Sequence, residues 1–382
     1  MNIFTKNLFL RIAVNTRFLL PKMEGFGWFT YETIRRIVKN HPEHEFVFFF
    51  DRKFDDKYIF ADNVTGVVLN PQARHPILYK IWFNWSVKRA LKKHKIDLFL
   101  SPDGYLSLTT KVKQLVVIHD INFEHYPKDL PKVAGNYYLK YFPKFARKAT
   151  RIATVSEFSK SDIAEKYQIS SDKIDVCYNG VNEDFGPVSV EVKKEIKSKY
   201  SNNQEYFVFI GSLHPRKNLV RLFKAFNKFK NENDSSVKLV IIGDKYWWTD
   251  EMKAVLESLE HKNEIVFTGH LNVEEVNNVI ASSLSMVYVS YFEGFGIPVV
   301  EAMRCEVPVI TSNITSMPEV AGNAALLVDP FSVDDIANGL KSLAKSESLR
   351  KDLIEKGQLR CQCFSWNNTA EALWESVEKC FK

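Results

Sequence analysis

Short, near-continuous apolar runs alternate with amphipathic helical runs along almost the whole chain, and no other feature restricts the fold as strongly. "FLRIAVN", "EFVFFF", "DLFLS", "QLVVIHD" and "RIATVS" occupy the first half; "YFVFIGS", "VKLVIIGD", "EIVFTG", "SMVYVS", "VPVITS" and "AALLVD" occupy the second. Runs that lack polar alternation suit strands buried on both faces. Helical patterns such as "WFTYETIRRIVKNH", "KNLVRLFKAFNKFK" and "TAEALWESVEKCF" lie between and after them. The order predicts an α/β fold of doubly wound parallel sheets with crossover helices. The polar stretch 184–205, with Gly186-Pro187 and an Asn-Asn-Gln end, reads as a linker between domains 1–183 and 206–365. With 382 residues, 45% of them hydrophobic, the chain has material for two cores.

Composition excludes several classes. No run approaches the roughly 20 apolar residues of a membrane-spanning helix. The N-terminal apolar stretch is broken by Lys6 and Arg11, with no small-residue cleavage site after it, so a cytoplasmic location is expected. Five scattered cysteines do not form a disulfide framework, and Cys361-Gln-Cys363 lacks a second ligand pair, so no metal site is expected. A net charge of +6 on this length, without a recognition motif, argues against nucleic acid as a partner.

Doubly wound sheets bind ligands at the carboxyl ends of their strands. Four segments stand at such ends. In "EGFGWFTYE", Gly25 and Gly27 allow close backbone approach at a helix start, or simply make a glycine turn. In "VIHDINFEHYP", His119 and Asp120 end a buried strand, as site residues or as a core histidine and a turn cap. In "GSLHPRKNL", Arg216 and Lys217 place positive charge at the positive end of a helix, an arrangement disfavoured unless an anion is present. In "YFEGFGIPVVEAM", Glu293 and Glu301 flank Gly294, Gly296 and Pro298. Buried carboxylates need partners, and a carboxylate can accept two hydrogen bonds from a vicinal diol. The expectation is pairing by sugar hydroxyls rather than by protein cations; the alternative has Glu293 capping the helix and Glu301 exposed.

"IHD", "TVSEFSKSDI", "YNGV", "GSLHPRKN", "IGD", "EGFGIPVVEAM" and "SMPEVAG" follow the glycine turn in this order. From residue 11 to about 335 the chain thereby resembles the retaining glycosyltransferases of the GT-B class, family four, which carry an E-x7-E motif. The resemblance implies two Rossmann-like domains facing a central cleft, with the donor bound by the C-terminal domain and the acceptor by the N-terminal one. It implies a final helix, 366–382, that packs back on the first domain. It implies that Glu301 binds the donor ribose, and that Glu293 lies at the donor sugar beside the backbone of Gly294, Phe295, Gly296 and Ile297. Lys217, with Arg216, would meet the diphosphate; Gly25 and Gly27 would approach it; His119 would stand beside the reacting sugar. Two positions depart from the family pattern: Ser212, where many members have arginine, and Glu306, where many have glycine.

The implied reaction transfers a hexose from a nucleoside-diphosphate sugar, GDP-mannose or a UDP-sugar, to a glycan or lipid-linked acceptor in cell-surface polysaccharide synthesis. No cofactor or metal is expected: no Asp-x-Asp triplet occurs, and cations with a helix start can stand in for one. A nicotinamide oxidoreductase is disfavoured because Thr30 stands where the fingerprint needs a third glycine. A nucleotide-sugar epimerase on the same fold, or a non-catalytic glycan- or membrane-binding protein, are the alternatives. The last is motivated by "YKIWFNWSVKRALKKHKID", where Trp82, Phe83 and Trp85 precede Lys88, Arg89, Lys92, Lys93 and Lys95. This segment reads either as a core helix with a solvated basic face or as a peripheral contact with an anionic membrane in which Trp82, Phe83 and Trp85 enter the interface.

Overall fold

The apolar runs become two all-parallel sheets in this computed structural model, which describes residues 9–21, 23 and 25–382. The reading of the N-terminus as lacking a leader falls largely outside the described residues. One sheet contains β1 (Arg11–Asn15), β2 (Glu45–Phe50), β3 (Val64–Val68), β4 (Leu98–Ser101), β5 (Lys113–Val117), β6 (Arg151–Thr154) and β7 (Ile174–Val176), in the order β3-β2-β1-β4-β5-β6-β7. The other contains β8 (Tyr206–Ile210), β9 (Lys238–Ile242), β10 (Ile265–Gly269), β11 (Ser285–Tyr288), β12 (Val309–Ser312) and β13 (Leu326–Val328), in the order β10-β9-β8-β11-β12-β13. In each, the winding direction reverses once, between β1 and β4 and between β8 and β11. At such a switch point the flanking loops diverge and leave a crevice. Central strands carry the core: Ile12, Ala13 and Val14 of β1 and Phe207 and Val208 of β8 have no exposed surface.

The chain divides into two compact units. The first runs to Asn179 and takes in Trp366–Lys382; the second is Gly180–Ser365. The final helix, Trp366–Lys379, lies in the first unit against the helix Gly25–Asn40 and strands β6 and β7. Its Trp374 ring stacks on His41 at 3.7 Å, and Thr369 Oγ1 donates to the carbonyl of Tyr178 at 2.6 Å. Residues 184–205, read from the sequence as a linker, carry the helix Val190–Ser201 of the second unit. It starts at Ser189, whose hydroxyl accepts from the Val192 N–H at 3.3 Å, and it lies beside β9 and β10.

Of the two readings of the basic aromatic segment, the structure bears out the core helix with a solvated basic face. It forms one helical run, Pro76–Ile81, Trp82–Val87 and Lys88–Lys93, the middle turn being π-helical. Trp82 and Phe83, which the membrane reading placed at the interface, are 0% and 1% exposed, and Trp82 Nε1 donates to the Leu69 carbonyl at 2.9 Å. The outer face instead presents Ile77, Ile81 and Trp85, four residues apart and 60%, 41% and 70% exposed. No described helix is long and apolar enough to cross a membrane.

Candidate active site

In the second unit the residues after β8 and β11 meet at the switch point. Gly211 leaves β8 with φ +146°, and a short turn, Pro215–Lys217, follows, its entry fixed by His214 Nδ1 accepting from the Arg216 N–H at 3.3 Å. Asn218 adopts the left-handed conformation (φ 64°), and its amide donates to the carbonyls of Val289 (2.9 Å) and Pro330 (2.7 Å), which ties the turn to the end of β11. Lys217 is thereby turned inward and buried.

Glu293 is also buried, and protein cations pair with it. Its Oε1 accepts from Lys217 Nζ at 2.5 Å and from the Tyr288 hydroxyl at 3.0 Å. Its Oε2 takes the guanidinium of Arg216, which also donates to the Phe292 carbonyl at 3.1 Å. The Tyr288 hydroxyl accepts in turn from Lys217 Nζ, which lies 4.7 Å from the tyrosine ring centre. Burial works to raise the Glu293 carboxyl, but Arg216 and Lys217 outweigh it and hold it at about 2. Burial, followed by the Glu293 charge, pushes the Tyr288 phenol well above its ordinary value. The expected pairing of this carboxylate by sugar hydroxyls is therefore corrected: two cations close by made pairing within the protein available.

Glu301 is the opposite case. The helix Ile297–Arg304 begins after Gly296, whose φ of +92° lies in the left-handed region that favours glycine. Pro298 occupies the first turn, where a missing N–H costs nothing. Glu301 follows on this helix, partly buried, and among the described residues its carboxylate has no hydrogen bond or ion pair. Burial alone raises it to about 7. Around it the other expected residues differ in exposure. Gly294 and Phe295 are buried, the latter edge-on to Phe364 at 5.3 Å; Ile297 is partly buried; Ser212 is exposed on the turn after β8.

In the first unit, His119 lies two residues beyond β5. Its Nε2 lies 2.9 Å from the Pro102 carbonyl. A carbonyl only accepts, so Nε2 carries the hydrogen and Nδ1 is left as an acceptor. Burial lowers the imidazole's pKa, keeping the ring neutral. Phe26 and Phe29, from the helix Gly25–Asn40, pack on the ring at 4.8 Å each, so the glycine turn and His119 do come together. A Cβ on Gly27 would sit 2.8 Å from the Phe18 carbonyl, whereas Gly25 has open space around it. Asp120 caps the following turn, accepting from the Asn122 N–H at 3.0 Å.

Sequence reasoning missed Tyr288, the phenol of "SMVYVS" that reaches the Glu293 carboxylate at the strand's end. It also missed Arg17 and Asp103, an ion pair of 2.6 Å formed just beyond β1 and β4. One group could hold a metal ion among the described residues: His41, Glu43 and His44, with ligand atoms within 4.8 Å of one another. It lies ahead of β2, at the amino end of the sheet. The Leu10 N–H donates to His44 Nδ1 at 3.4 Å, which puts the neutral ring's hydrogen on Nε2, the nitrogen facing Glu43.

Residues 23–185 match the family model described as Glycosyltransferase Family 4, and residues 191–360 match that described as Glycosyl transferases group 1. The chain belongs to this glycosyltransferase family. The glycosyltransferase is 28% identical over 370 residues to O-antigen chain mannosyltransferase B of Escherichia coli, covering 94% of this chain and 97% of that one. It is 29% identical over 287 residues to O-antigen chain mannosyltransferase RfbU of Salmonella typhimurium, covering 75% and 76%. Its fold is that of Anabaena HepE, solved with UDP and glucose, at a TM-score of 0.74 and 16% identity over 97% of this chain and 99% of that one. The fold is GT-B, with two Rossmann-like parallel-sheet domains.

Proposed function

We propose that this glycosyltransferase moves mannose from GDP-mannose to a hydroxyl of a glycan or lipid-linked acceptor during cell-surface polysaccharide synthesis. In this reading the anomeric configuration is retained and no metal takes part. The observation that carries the proposal is Glu301: a partly buried carboxylate with no partner among the described residues, eight positions from a carboxylate already bound to two cations. Glu301 accepts the hydroxyls of the donor ribose. Lys217 and Arg216 meet the diphosphate and offset the charge that grows on it as the glycosidic bond breaks. Glu293 holds both cations in place and faces the transferred sugar, with the backbone of Gly294 to Ile297 beside it. The departing phosphate takes the proton of the acceptor hydroxyl. In the first unit, His119 offers Nδ1 to a sugar hydroxyl. The names of the two O-antigen mannosyltransferases support the donor and the pathway class.

The test is turnover of GDP-mannose followed by NMR in excess chelator. The expected product has the donor's anomeric configuration, formed at an undiminished rate. An inverted product, or activity that chelation abolishes and magnesium restores, contradicts the proposal.

A peripheral membrane contact is part of the same reading. It is supported by the apolar stripe Ile77, Ile81 and Trp85 followed by Lys88, Arg89, Lys92 and Lys93 on one helical run, with Lys95 just after it. Flotation with vesicles should show binding that requires anionic lipid and weakens in Trp85→Ala. Equal recovery with neutral and anionic vesicles contradicts it.

A further inference from the structure

We propose that the first unit holds an oxyanion subsite, one that takes a phosphate or carboxylate carried by the acceptor. The inference rests on the transferase reading and assigns part of its acceptor chemistry. The site is a cavity of about 300 Å³ at the carboxyl ends of β1 and β2, lined by Arg17, Arg52, Arg74, Asp51, Phe18 and Tyr79. Three guanidinium groups reach it from three neighbouring strand ends. Arg17 follows β1, Arg52 follows β2, and Arg74 lies in the segment after β3.

Arg17 decides the ligand class. It is 5% exposed, yet only its Nε is engaged, with Asp103 Oδ2 at 2.6 Å. Its two terminal nitrogens make no hydrogen bond among the described residues and are not sealed from solvent, so a guanidinium with five N–H donors still has donors to offer. The group is fixed in place. Asp103 is itself held by Ser101 Oγ at 3.1 Å and the Tyr105 N–H at 3.3 Å, and the guanidinium carbon lies 4.4 Å from the Tyr105 ring centre and 4.7 Å from that of Phe18. A rigid, buried and incompletely satisfied donor lining a cavity is a receptor for an acceptor atom.

The remaining lining favours an anion over a neutral sugar. Asp51 is the one carboxylate in the wall, and it is occupied: both oxygens take Arg52, at 2.7 and 2.9 Å, and one also accepts the Ala73 N–H at 3.0 Å. Sugar hydroxyls need acceptors as well as donors, and the wall supplies mainly donors. Three guanidiniums against Asp51 and Asp103 leave one net positive charge (3 − 2). Guanidinium forks match the paired oxygens of phosphate and carboxylate. The cavity suits a group of monosaccharide scale, with Phe18 and Tyr79 as flat walls for the ring that carries the anion.

Calorimetry on the full chain tests this. GDP is added to saturation first, so that the phosphate-binding groups of the second unit are occupied. Mannose 1-phosphate, methyl glucuronide and methyl mannoside are then titrated in turn. At least one of the two anionic probes should bind, and which of them binds assigns phosphate or carboxylate; the neutral mannoside should not bind. Arg74 is exposed, so Arg74→Ala should fold and should weaken the anionic probe about three- to tenfold. The inference is overturned if neither anion binds, if methyl mannoside binds as tightly, or if Arg74→Ala changes nothing. The GDP titration reports separately on the donor reading: failure to bind GDP sinks that reading, while failure of the anions alone sinks only the subsite.

Discussion

In the loop ahead of the helix Ile297–Arg304, Glu293 is buried among a lysine, an arginine and a phenol, and its carboxyl is held at about 2. One helical turn into the same segment, Glu301 has no partner among the described residues and is raised to about 7. Both belong to one motif and both lose water on folding. The difference lies in what the neighbouring strand end supplies. The turn after β8 brings two cations to the loop and none to the helix. Pairing makes Glu293 part of the scaffold that aims Lys217 and Arg216. Its lack leaves Glu301 as a hydrogen-bond acceptor that folding has not satisfied, and that is the state a receptor for hydroxyls requires.

The largest expected contrast is in stability. Glu293→Gln leaves Lys217 buried beside a neutral amide, and losing one partner of a buried pair costs roughly 3–5 kcal/mol. Glu301→Gln removes a carboxylate that burial makes costly to ionise, a cost fully present at pH 8, and should stabilise the chain there by up to about 3 kcal/mol. Urea unfolding of both variants measures this. Equal losses would erase the distinction between them.

A smaller contrast lies in pH dependence. Glu293 has a lowered pKa, so its stabilising contribution is present above its unfolded value and is lost as pH falls through about 2. Glu301 has a raised pKa. The folded chain holds its proton more tightly than the unfolded chain does, so the cost of ionising it grows as pH rises from the unfolded value to about 7. The ionised form is the one that accepts two hydroxyls. GDP affinity should therefore rise with pH through about 7, and one unit below that value should be about tenfold weaker than at the plateau. Glu301→Gln should keep only the nucleotide's own titration. An unchanged profile in that variant would show that Glu301 does not meet the ligand.

Among the described residues the apolar runs made eleven of the thirteen strands legible, because strands buried on both faces leave no polar alternation. β3 and β7 were not legible. They are the two edges of the first sheet: β3 contains Gly66 and partly exposed residues, and β7 has three residues. The motif residues of the second unit could be located from spacing, but the partner of Glu293 could not. Its pairing depends on which way Lys217 turns, and that is set by the left-handed Asn218 and by carbonyls about 71 and 112 positions away. For Trp82 and Phe83 two readings stayed open for a similar reason, and the core helix is the one that holds: helical spacing shows that one face is apolar without showing which neighbour covers it. The departure at Glu306 is visible in the backbone. It has φ +60°, the left-handed region that glycine enters freely, and here its side chain accepts from Gln358 Nε2 at 2.8 Å.

The most direct measurement of the claim that Glu301 receives the ribose compares GDP with its 2′,3′-dideoxy analogue by calorimetry. The wild-type chain should bind GDP about 10- to 150-fold more tightly, the equivalent of roughly 1.5–3 kcal/mol for a charge-assisted contact. Lys217→Ala should weaken both nucleotides while keeping their ratio. Glu301→Gln should bring the ratio close to one, and a ratio that survives this substitution would contradict the account.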